Sequence, residues 1–195
     1  MKTYLTLFIL LLPFNLLAQE TMNDSLPYYE IPEAPAEYTA ATVAARMIDG
    51  LGFRYYWATE GLRTEDLAYK PSPEARTSGE TIDHIYGLAR MINLTVNGVA
   101  VTSSDDDMTF DEKRAMTLTL LYEASMLLLE NPDLAKRDIV FNRGDSSTEY
   151  PFWNLINGPI EDAVWHTGQV VSFRRASGNP FNSTVSVFTG KLKTK

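Results

Sequence analysis

Twice in this chain a Thr-x-x-Glu quartet stands immediately ahead of a long apolar run of helical period: Thr77-Ser78-Gly79-Glu80 and Thr109-Phe110-Asp111-Glu112. In such a quartet the hydroxyl and the carboxylate satisfy helix-start amides reciprocally, so each fixes where a helix begins. Behind the first, Ile82, Ile85, Leu88, Ala89, Ile92 and Val96 recur at three- and four-residue steps, until the acidic loop Ser103–Asp107. Behind the second, Met116, Leu120, Leu121, Ser125 and Leu128 do the same, and Asn131-Pro132 ends the run. An earlier stripe of Val43, Met47, Ile48, Leu51, Tyr55 and Leu62 predicts a helix from about Thr39 to Gly61. A fourth helix is expected from near Phe152 to Ala176, started or kinked by Pro159 and stopped by Gly178 and Pro180.

Four long amphipathic segments predict an all-α fold, a four-helix bundle over residues 38–180 with a C-terminal tail over 181–195. The connection from Pro132 to Tyr150 is long for a bundle. It is read as a crossover between helices three and four that lays the fourth parallel to the third, with Asp138–Phe141 pairing briefly as a strand. The 195 residues suit one core, and 45% hydrophobic residues suffice to fill it. Tyr55, Tyr56 and Trp57 fit that core better than a pocket mouth.

A formal net charge of −8 with no clustered Lys and Arg argues against nucleic acid as a partner. The chain has no cysteine, which excludes disulfides, thiolate metal sites and a cysteine nucleophile. Residues 1–18 read as a secretory signal: Lys2, an apolar run from Leu5 to Leu12, Pro13 as a breaker and Ala18 for cleavage. The run is short of the roughly 20 residues a membrane span needs, so no stable span is expected after cleavage. A periplasmic or secreted location follows. Residues 19–37, with Pro27, Pro32 and Pro35, read as a linker to the folded body.

The only two histidines are His84 and His166. His84 lies beside the apolar stripe of helix two. On helix four, Asp162 and His166 are four apart and project from one face, and Gln169 and Phe173 continue that line. A carboxylate and imidazoles on an inward face are costly unless compensated, and a divalent metal would compensate them. By spacing alone, a surface Asp162–His166 hydrogen bond with His84 satisfied elsewhere explains the same residues. Arg174 and Arg175, in the last turn, are read as complementing the helix dipole.

Two blocks resemble the DinB/YfiT family: GLRTEDLAYKPSPEARTSGETIDHIYGL and EDAVWHTGQVVSFRRASGNP. The first is similar to that family's acidic turn, Pro-containing loop, capped helix start and helix-two histidine; the second is similar to its helix-four block. The resemblance implies a divalent metal held by one residue of helix two and two of helix four. Carried over, the ligands are His84, Asp162 and His166, with Asp162 standing where the family has its middle histidine. Gln169, at the family's Gly-Gln position, would orient a ligand or pack between helices. Zinc, iron, manganese and nickel all suit such sites; a carboxylate adds negative charge and shifts preference away from nickel.

The function implied is a metal-dependent hydrolase acting through an activated water, or a thiol-dependent transferase acting on a small molecule. For a general base the residues offer only Asp162 or Glu161. The alternative is a non-catalytic ligand- or partner-binding bundle in the cell envelope, and a third reading is a homodimer formed through an apolar helix face.

Overall fold

A computed structural model describes residues 26–103 and 107–194. The signal at 1–18, the start of the linker and part of the acidic loop fall outside the described residues. The chain is mostly helical. In order come α1 (Ala40–Thr59), α2 (Thr64–Ala68), α3 (Ser78–Val96) and α4 (Phe110–Glu130). A 3-10 turn (Leu134–Lys136) and a hairpin of β1 (Ile139–Arg143) and β2 (Ser146–Tyr150) follow. Then come α5 (Trp153–Leu155), a π-helical turn (Ile156–Ile160), α6 (Glu161–Ala176), and the short strands β3 (Val185–Ser186) and β4 (Lys191–Leu192). No helix among the described residues is long and apolar enough to cross a membrane.

The helix starts lie where the hydroxyl caps predict. Thr77 Oγ1 accepts from the Glu80 amide while Glu80 accepts from the Thr77 amide, and Thr109 and Glu112 repeat the arrangement. Thr39 and Thr42 form a third reciprocal cap at the start of α1. At the far end of α6, Gly178 takes φ +84°, the left-handed conformation that costs glycine little. Ile48, Leu51, Tyr55, Ile85, Ile92, Leu118, Leu121 and Leu128 are fully buried in one core, and Trp57 is buried beside it.

Each of the four long helices packs on two others: α1 on α4 and α6, and α3 on α4 and α6. Their directions are set by cross-helix bonds. Asp83 pairs with Lys113 and Asn93 donates to the Leu120 carbonyl, so α3 and α4 run the same way. Arg114 reaches Thr59 while Ser125 reaches Ala45, so α4 opposes α1. The lengthwise connection therefore joins α3 to α4, not α4 to the last helix as the sequence suggested. The reason is the hairpin: pairing Ile139 with Tyr150 turns the chain back on itself. Leu134 and Phe152 accordingly both line the groove at the first turn of α1. Pro159 sits inside the π-helical turn; lacking an N–H, it cannot complete a regular α-turn there.

The C-terminal half of the expected linker packs against the helices. Tyr28 is 3% exposed although its φ is +74°, and its hydroxyl donates to Asp49 Oδ1. A non-glycine residue held there costs about 1–3 kcal/mol, which burial, the hydrogen bond and an edge contact with Tyr122 offset. Gly52 makes room for it: a methyl on Gly52 would overlap the Tyr28 ring. Gly52→Ala should therefore destabilise the fold by about 1–3 kcal/mol despite alanine's better helix propensity. Urea unfolding checks this, and a stabilised variant would refute the placement of Tyr28. The tail also lies on the body, with Val185 buried against Phe53 and Trp57.

Candidate metal centre

Helices α3 and α6 face each other along one flank, and both histidines lie on that flank. His84, in the second turn of α3, presents Nε2 3.1 Å from Asp162 Oδ2. One turn along α6 from Asp162, His166 places Nε2 3.3 Å from the other carboxylate oxygen, Oδ1. The two rings meet edge to face with centroids 4.7 Å apart. One donor atom from each of the three residues lies within 4.8 Å of the others. The structure thus brings together all three residues singled out from sequence.

The group is less enclosed than expected. The side chains of His84 and Asp162 are 34% and 40% exposed, and that of His166 is 17% exposed. They lie on the flank of the helices rather than in the core. On one side the imidazoles border a cleft of about 510 Å³, lined also by Arg76, Thr81, Gln169 and Phe173. Small molecules therefore have a route to the cluster, which a closed structural site would deny.

Gln169 lies against the other ring nitrogen of His166. Its Oε1 lies 2.8 Å from His166 Nδ1, so the imidazole donates there and a neutral ring carries its lone pair on Nε2. That lone pair faces a carboxylate oxygen at 3.3 Å. Two acceptors so close repel unless a second proton or a cation lies between them. Two imidazole nitrogens and a carboxylate suit zinc, iron or manganese, whose ligands at about 2.0–2.2 Å leave neighbouring donor atoms about 3 Å apart. The three residues could hold such an ion: Asp162 lies 3.1 and 3.3 Å from the two imidazoles, and one donor atom of each residue is within 4.8 Å of the others. Replacing Gln169 by alanine should weaken zinc binding by about 10–100-fold with little change in fold. A competition titration with a chromogenic chelator reads this; unchanged affinity would remove Gln169 from the site.

Glu161, the other carboxylate considered as a base, is exposed and makes no contact with the cluster among the described residues. Arg174, read from sequence as a dipole partner of its own helix, is instead buried. It donates to the carbonyls of Trp57, Ala58 and Glu60 at the end of α1 and to Asn179. Beside it, Asp66 is fully buried and accepts from Arg63, Ser177 and Asn179. These hydrogen bonds hold the carboxyl far below its ordinary range, the Arg63 guanidinium contributing most. The network ties α2, and with it the Pro71–Arg76 wall of the cleft, to the ends of α1 and α6. Sequence reasoning missed this role; the one available signal was the presence of Arg63, Asp66, Arg174 and Asn179 within the two blocks that carry the family resemblance.

Comparison with known proteins finds no matching family model, no matching characterised protein and no matching solved structure.

Proposed function

We propose that this chain is an exported four-helix bundle of the DinB/YfiT-like kind that holds a divalent metal with His84, Asp162 and His166 and hydrolyses a small molecule. The observation that carries the reading is the meeting of two Nε2 atoms and a carboxylate from separate helices at the edge of an open cleft. When bound, a divalent cation supplies Lewis acidity that polarises a carbonyl and lowers the pKa of a water or thiol. His84 and His166 are the neutral ligands, and Gln169 keeps the His166 lone pair directed inward. Asp162 adds a negative charge that tightens cation binding and tempers that acidity. Thr81 and Arg76 line the cleft with a hydroxyl and a cation, and Phe173 with an aromatic face. Hydrolysis is preferred over thiol transfer because an exported protein meets little cytosolic thiol.

The test uses protein stripped by chelator and reloaded with zinc or manganese, assayed on nitrophenyl esters with and without an added thiol. The expected result is ester hydrolysis that needs the metal, needs no thiol and disappears in His84→Ala. Equal rates before and after reloading would overturn the reading, and turnover only with thiol would make the protein a transferase. The second reading is the non-catalytic binding bundle of the envelope. It is favoured by Asp162 lying within hydrogen-bond range of the His84 imidazole, so that the two side chains can satisfy each other directly.

A further inference from the structure

A cavity larger than the cleft beside the histidines lies away from them, sharing none of its residues. A groove of about 690 Å³ runs between the first turns of α1 and the chain from Leu134 to Ile156. That size falls within the roughly 300–1,000 Å³ typical of small-molecule sites. Its floor is apolar, made by Ala44, Met47, Phe152 and Ile156. Two aromatic rings stand at its rim in contact with water: Tyr38 is 97% exposed and Trp153 76%. The surroundings favour one sign of charge. Asp138 is the single charged residue lining the groove, is only partly exposed, and has no hydrogen-bond or ion-pair partner among the described residues.

We propose that this groove binds a cationic amphiphile, an ammonium group on an apolar tail. The tail lies on Met47, Phe152 and Ile156, and the head sits between the Asp138 carboxylate and the exposed rings of Tyr38 and Trp153. A carboxylate beside aromatic faces attracts an ammonium by charge and by the ring quadrupole together. The site is independent of the metal centre, sharing none of its residues.

The test is calorimetric titration of the intact protein with decyltrimethylammonium and, separately, decyl sulfate, each below its micelle concentration. The expected result is saturable binding of one cation per chain, with the sulfate at least about fivefold weaker. Asp138→Asn should weaken the cation by about fivefold and leave the sulfate unchanged. Val43 is half-exposed on the groove wall, so Val43→Phe fills the groove without entering the core and should abolish binding of the cation. Thermal unfolding of both variants confirms that they remain folded. Cation and sulfate binding alike, or an Asp138→Asn variant that binds the cation unchanged, would overturn the proposal. Binding of several cations that survives Val43→Phe would overturn it too, being adsorption to a chain of net charge −8.

Discussion

Asp66→Ala is expected to lower the free energy of unfolding by about 2–3 kcal/mol, the upper part of the range for leaving buried hydrogen-bond donors unmet, the Arg63 guanidinium being half exposed. The carboxylate is fully buried and accepts from the Arg63 amide, the Arg63 guanidinium, the Ser177 hydroxyl and the Asn179 amide. Deleting it leaves those donors facing a void and a guanidinium without its counter-charge. Chemical denaturation measures the loss, and a change below about 1 kcal/mol would show the network to be dispensable. The pH dependence has a definite sign. The folded carboxyl is held well below its ordinary value of 3.8, so its stabilisation is complete above that value and is lost as pH falls beneath it. The gap between the wild type and Asp66→Asn should therefore be constant at neutral pH and narrow as pH drops below about 4. A gap that widened in acid would contradict the assignment.

His166→Ala should weaken zinc binding by two to three orders of magnitude. Zinc sites in small folded domains contribute about 10–16 kcal/mol over four ligands, so one ligand carries roughly 3 kcal/mol or more. His166 is the most enclosed of the three and, among the described residues, the only one held by a further side chain, Gln169. His84→Ala should lose a similar amount. Asp83→Asn serves as a control, because Asp83 adjoins His84 in sequence but pairs with Lys113 on the surface. A chelator competition titration separates these outcomes. Equal affinities for His166→Ala and Asp83→Asn would leave the histidines without a metal role.

Much of this was legible in the chain, and the rest was hidden for identifiable reasons. Helix starts were readable because Thr77 and Glu80, and Thr109 and Glu112, act on amides within three residues. The meeting of Asp162 with His166 was readable because four residues make one helical turn; that His84 joins them rested on the family resemblance. The direction of the helices was not readable. It depends on the β1–β2 hairpin turning the chain back, and only half of that hairpin carries a strand-like pattern. Tyr28 was hidden by the prolines around it: its burial depends on the absent side chain of Gly52, more than twenty residues away. The role of Arg174 was hidden because its partners are backbone carbonyls of α1, which leave no mark in the residue types.

The proposed chemistry requires the cluster between α3 and α6 to take up an ion. Crystals soaked in zinc and measured on both sides of the zinc absorption edge test this most directly. The predicted result is one strong anomalous peak bounded by the Nε2 atoms of His84 and His166 and the carboxylate of Asp162. A map with no peak there, in which Asp162 hydrogen-bonds directly to the imidazoles at saturating zinc, would contradict it.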